Sequence, residues 1–174
     1  MNGELIEQAR SCIEHGWSLL PVQPGAKAPN HDLLHFVYHD TRTAHLRYAP
    51  ALLAEVELWF ENEPEGNLAV IPGSPSRLLI VDVDRLDLLD PDIATPTALS
   101  GREGGGKHFY FECEPNLAMK RMPWGHINPA YVVLPGSIHP AGRPYTWLPG
   151  RSPDEVPLMP FETFAEAFGV EEML

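Results

Sequence analysis

Cysteine is nearly absent: Cys12 and Cys113 stand far apart and neither belongs to a C-x-x-C pair. A disulfide framework and a cysteine zinc site both lack material, and each thiol reads as a small buried hydrophobe. Long hydrophobic runs are missing too. The longest, Leu68 to Pro72 and Leu78 to Val81, fall far short of the roughly 18 residues that cross a bilayer as a helix. The first ten residues carry Glu4 and Glu7 where a secretory signal needs a basic start and an apolar stretch, so a cytoplasmic protein is expected. Cations are few: 12 Lys and Arg against 24 Asp and Glu give a formal net charge of -12, the reverse of the basic footprint common in nucleic-acid-binding domains.

The distribution of charge qualifies that exclusion. From Arg102 to Arg151 six cations (Arg102, Lys107, Lys120, Arg121, Arg143, Arg151) face three acids (Glu103, Glu112, Glu114). The acids concentrate elsewhere, in Glu55 to Glu65, Asp82 to Asp92 and the tail from Asp154. Cations beside an acidic cluster suit a phosphate substrate held by metal, and equally describe a solvated mixed surface.

At 174 residues the chain is long enough for one self-sufficient core. Residues 1–150 read as that domain, and residues 151–174 as a proline-spaced linker and helix packed on it. Leu5, Ile6, Ala9, Cys12 and Ile13 recur at helical spacing ahead of Gly16, which predicts a first helix over 4–15 with a left-handed cap. Trp17 to Val22 reads as a strand. Pro50 signals a second helix carrying Leu52, Leu53, Val56, Trp59 and Phe60 on one face. From Asn67 onward the texture changes to short apolar runs divided by Gly and Pro. Strands are expected at 68–71, 77–83, 107–112, 131–134 and 144–148, the first two joined as a hairpin through Pro72-Gly73-Ser74-Pro75. A last amphipathic helix spans Phe161 to Phe168. Helices first and strands after predict an α+β fold.

Three stretches carry chemistry. In Leu78-Leu79-Ile80-Val81-Asp82-Val83-Asp84 the two aspartates share a strand face. Paired hard oxygen ligands select Mg²⁺ or Mn²⁺; the alternative is an Asp84 that merely starts a turn. In Ser100-Gly101-Arg102-Glu103-Gly104-Gly105-Gly106-Lys107-His108, the glycines Gly105 and Gly106 leave N–H groups able to approach phosphate, with Lys107 and His108 as further donors. It is not a P-loop, since His follows the G-K and a strand follows the His. In Gly125 to Trp147, Ser137, His139 and Arg143 are candidates for phosphate or ribose contacts, each also explicable as a turn or surface residue. A nucleic-acid strand would find stacking partners in Trp124, Tyr131, Tyr145 and Trp147, although sheet aromatics are more often core.

In chain order these pieces resemble the bifunctional primase-polymerase domain of the archaeo-eukaryotic primase superfamily. The matching elements are Gly16-Trp17 through Pro21-Val22, Gly25, Lys27 and Pro29; Asn67, Val70 and Gly73; Asp82 and Asp84; Ser100 with Gly105-Gly106-Lys107-His108; and Val132, Val133, Pro135, Ser137, His139, Gly142, Tyr145 and Trp147. The likeness covers about residues 5 to 148. It implies a primase-polymerase fold with an RNA-recognition-like sheet flanked by helices. It also implies a nucleotidyltransferase that makes or extends primers on a DNA template from nucleoside triphosphates during replication. Asp82 and Asp84 would hold Mg²⁺ or Mn²⁺, while His108, with Lys107, would hold the triphosphate. Many members carry a helicase domain C-terminal to this one, so a separate or fused helicase is an expected partner.

The chain departs from the family pattern where a third acid is expected, after a hydrophobic residue shortly before Val132-Val133. Here stand Ile127-Asn128, and Asn128 offers a carbonyl oxygen without charge as the third metal ligand. Three outcomes follow: a requirement for Mn²⁺, an acid recruited from elsewhere, or a nucleotide- and nucleic-acid-binding module without turnover. A separate reading takes His31, His35 and His39 as zinc ligands of a hydrolase on one helical side, weakened by Asp32 standing where a zincin needs Glu.

Overall fold

The computed structural model describes residues 3–34, 51–73, 76–112, 118–168 and 170. The first helix, α1 (Gly3–Glu14), ends as its glycine predicts. Gly16 has φ +78°, its N–H donates to Ile13 O at 2.9 Å, and Trp17 N–H donates to Cys12 O at 2.9 Å, the paired bonds of a Schellman cap. β1 (Ser18–Val22) follows, then a single helical turn α2 (His31–Leu34) and helix α3 (Leu53–Asn62). α3 begins later than Pro50 suggests, because Glu55 reaches back to accept the Leu52 N–H at 2.8 Å and fixes the start there.

The remaining elements are β2 (Asn67–Ile71), β3 (Leu78–Val83), β4 (Thr97–Leu99), β5 (Lys107–Glu112), β6 (Lys120–Met122), β7 (Gly125–Ile127), β8 (Val132–Val133), β9 (Thr146–Trp147), β10 (Met159–Pro160) and α4 (Phe161–Phe168). They form two sheets, one ordered β1-β2-β8 and the other β6-β7-β3-β5-β4-β9, with β10 pairing parallel to β5. The expected β2–β3 hairpin is not formed. β2 lies in the small sheet and β3 in the large one, and a Gly73–Leu78 bridge joins them. Buried Ser76 makes the crossing possible: its hydroxyl donates to Ile71 O at 2.5 Å and accepts from Ser18 N–H at 2.8 Å. Helices and antiparallel sheets together make the α+β fold that the element order predicts.

β3 organises the packing. Leu79, Val81 and Val83 point to one face, where Phe109, Phe111 and Ile127 meet Phe161, Phe164 and Ala165 of α4. Leu78 and Ile80 point to the other face, into a core shared with α1, α3 and the small sheet, including Trp17, Leu68, Val70 and Tyr110. The alternation that predicts β3 thus serves two cores, one on each side of the large sheet. Cys12 is fully buried in the second core, and that burial pushes its thiol well above the usual range, as a structural cysteine requires. Cys113 lies outside the described residues.

Phe164 is fully buried and its ring sits 5.6 Å from that of Phe111. Phe164→Ala is expected to destabilise the chain by about 3–5 kcal/mol, measured as the shift in urea midpoint. A loss under about 1 kcal/mol would show that α4 is an appendage rather than part of the domain.

Candidate active site

Antiparallel pairing sets Asp82 of β3 directly opposite His108 of β5 on one side and His126 of β7 on the other. Directly paired residues share a sheet face, so all three side chains converge. His108 Nε2 lies 3.4 Å from Asp82 Oδ1, and His126 Nδ1 lies 3.9 Å from Asp82 Oδ2. Asp84, one strand repeat further, stays on the same face. Ligand atoms of Asp82, Asp84 and His126 lie within 4.8 Å of one another, the one such group of His, Cys, Asp or Glu among the described residues. Two carboxylates and an imidazole fit a divalent cation.

His126 is the residue that sequence reasoning missed. The register places it, not Asn128, across from Asp82; Asn128, at φ +51°, donates its N–H to Ile80 O at 2.7 Å and turns the chain out of β7. A β-carbon on Gly125 would run into the Asp82 carbonyl, so only glycine allows β7 this close to β3. Gly125 next to a histidine is a signal for close strand approach, but Gly125 to Ile127 is too short a segment to show strand periodicity.

His108 is buried, and burial lowers its pKa below the ordinary histidine value; Lys27 pushes the same way, while Asp82 and Asp84 oppose it. The ring is therefore neutral at pH 7. Nε2 faces Asp82, and Nδ1 has no hydrogen-bond partner among the described residues. The ring stands in the wall of a recess of about 70 Å³ lined also by Lys27, Asp82, Tyr131 and Tyr145. Tyr145 lies between two imidazoles, 5.8 Å from His108 and 5.6 Å from His139. Burial, reinforced by Asp82, pushes its phenol pKa up and keeps it a neutral donor.

Lys27 also borders an open cleft of about 550 Å³ with Asp84, Arg102 and His139. Arg102 ion-pairs with Asp84. His139 is held below the ordinary histidine value by burial and by Lys27 and Arg102. Buried Asn67 ties the two cleft loops together. Its amide donates to Ile138 O at 2.8 Å and Ala26 O at 3.4 Å, and its carbonyl accepts the Ile138 N–H at 2.9 Å.

Several expected contacts are placed elsewhere. Lys107 precedes His108 on β5, so it points to the opposite face, where it pairs with Asp90. Gly105 donates its N–H back to Arg102 O at 3.3 Å, and Gly106 O accepts from Ser100 N–H at 2.9 Å, so the glycine run is a turn that delivers Arg102. Ser137 is fully buried: its hydroxyl accepts the Leu68 N–H at 3.0 Å and donates to Leu68 O at 3.2 Å. Arg143 is exposed, and its carbonyl accepts the His139 N–H at 2.8 Å. Trp124 packs on Phe164 and Trp147 on Tyr110, leaving Tyr131 and Tyr145 at the recess. His31 sits on α2, while His35 and His39 lie outside the described residues.

No described helix is long and apolar enough to cross a membrane. No curated protein matches the chain. The model of the bifunctional DNA primase/polymerase N-terminal domain matches residues 9–159, most of the chain and every element of the cleft. The chain belongs to the N-terminal domain family of bifunctional DNA primase/polymerases.

Proposed function

We propose that the chain is a metal-dependent nucleotidyltransferase that makes or extends a primer on a DNA template during replication. The observation that carries this reading is the convergence of Asp82, Asp84 and His126 within 4.8 Å at the border of a cation-lined cleft. A bound divalent ion would polarise the α-phosphate and lower the charge of the leaving group. Asp82, Asp84 and His126 would hold it. Lys27 and Arg102 would neutralise the triphosphate, Arg102 exchanging Asp84 for a phosphate oxygen as the carboxylate turns to metal. His108, whose Nε2 faces Asp82, lines the recess beside it. Positioning and charge neutralisation then supply most of the acceleration. A helicase partner finds no support in the family match.

An imidazole as third donor has a consequence for the metal. Nitrogen ligands favour Mn²⁺ over Mg²⁺, which prefers oxygen throughout. Primer-extension assays on a primed DNA template are expected to show incorporation with Mn²⁺ well above that with Mg²⁺, lost about a thousandfold in Asp82→Ala. His126→Asp, which restores three carboxylates, is expected to shift the preference toward Mg²⁺. The same Mn²⁺ to Mg²⁺ ratio in wild type and His126→Asp would remove His126 from the metal site. The third donor's lack of charge also favours a second reading, a nucleotide-binding module without turnover; binding of dATP with no incorporation under either metal would establish it.

The cleft geometry separates two neighbouring cations. Arg102→Ala is expected to weaken dATP binding about tenfold or more, the worth of one charge-assisted hydrogen bond, whereas Lys107→Ala stays within about twofold. Calorimetric titration with a non-hydrolysable dATP analogue reads both, and equal losses would mean that the triphosphate lies elsewhere.

A further inference from the structure

We propose that the β6–β7 hairpin holds the nucleic-acid strand bearing the attacking 3′ hydroxyl, and that Arg121 contacts a phosphate of its backbone. The inference rests on the reading of Asp82 as the centre of nucleotidyl transfer and assigns the side from which the second substrate enters.

The first observation is the row across the sheet. Arg121 pairs with His126, His126 with Asp82, and Asp82 with His108. Direct cross-strand partners project from the same face, so Arg121 stands on the face of the carboxylates, two strand spacings or ~10 Å from Asp82. Its neighbours take the other side: Met122 packs into the core beneath α4, and Lys120 pairs with Ile127 of that core.

The second observation is that Arg121 is exposed and, among the described residues, has no carboxylate within ion-pairing distance. Arg77, Arg85, Arg102 and Arg151 each have one. Arg143 is the other described arginine without one, and of the two only Arg121 stands in the row of cross-strand pairs that contains Asp82. Among the described residues β6 is also the edge strand of its sheet, and none of them pairs with the outer side of the hairpin.

In the transfer step the 3′ oxygen forms a bond to the α-phosphorus, the bridging α–β bond breaks, and pyrophosphate leaves with that electron pair. The hydroxyl proton passes to water. Entering and leaving oxygens lie roughly in line, on opposite sides of the phosphorus. On that reading the leaving pyrophosphate would lie in the open cleft lined by Lys27 and Arg102, toward the loop after β4. The 3′ hydroxyl then arrives from the opposite side of Asp82, over His126, and the next cation along that path is Arg121.

The test is fluorescence anisotropy of a labelled primer–template with a dideoxy end, across a salt series. Arg121→Ala is expected to weaken binding about five- to tenfold and to reduce the slope of log K against log salt by about one. Arg121→Lys restores the slope, Lys120→Ala on the opposite face stays within twofold of wild type, and Mn²⁺-dATP affinity is unchanged in all three. Wild-type affinity and slope in Arg121→Ala, or an equal loss in Lys120→Ala, would overturn the proposal. A wild-type chain that binds dATP but no primed DNA overturns it as well, whereas one that binds neither overturns the functional reading beneath it.

Discussion

The register of β7 against β3 is the constraint on which the cleft depends. A slip of one residue would set Ile127 or Gly125 across from Asp82 and turn His126 into the core under α4. Three interactions oppose that slip. Ile127 is held in the apolar core beneath α4. The Trp124 carbonyl accepts from both Asp84 N–H and Arg85 N–H, at 2.8 and 3.1 Å, and Asn128 N–H donates to Ile80 O at 2.7 Å. Gly125 closes the remaining gap because any side chain there would meet the Asp82 carbonyl. Site geometry and core packing are thus specified by the same few residues, and a change at Gly125 would disturb both.

Charge is arranged with similar economy. The run from Asp82 to Asp92 makes the chain look inhospitable to phosphate, yet most of it is internally neutralised. Asp84 pairs with Arg102, Asp87 with Arg85, Asp90 with Lys107 and Asp92 with Arg151. Asp82 differs: its described partners are two imidazoles, one of them held neutral by burial. The carboxylate at the centre of the row is therefore the one whose charge is least cancelled by the protein, which is the condition for attracting a cation. The net charge of -12 is a property of the whole chain and says little about this cleft.

Much of this was legible from residue order, and the misses have physical reasons. The periodicity of α1, the apolar alternation of β3 and the amphipathic pattern of α4 are local signals, and all three elements form where those signals lie. Asp82, Asp84 and His108 converge because strand alternation and pairing carry them together. Consecutive strand residues face opposite ways, so Lys107 and His108 cannot both line one pocket. Ser137 is different in kind, since nothing local distinguishes a hydroxyl that binds Leu68 from one that meets solvent. His126 depends on a three-residue strand that is paired on both sides, and pairing is a long-range property. Asn67 acts at a distance for the same reason, joining loops from positions 26 and 138.

The location of the site follows from where the small sheet stops covering the large one. Along the inner face of β3, Leu78 and Ile80 lie against the small sheet and its helices, and Asp82 is the first residue beyond that cover. Tyr131, Val132 and Val133 form the rim, so the carboxylate sits where an apolar contact gives way to the open cleft. A deeper aspartate would have to be neutral or paired, and a shallower one would be screened by water. The overlap of the two sheets therefore sets the dielectric environment of Asp82, and through it the strength with which the cleft can bind a charged ligand. Lengthening β8 by one pair would move that boundary toward Asp82 and raise the penalty for its charge without altering a single residue of the site itself.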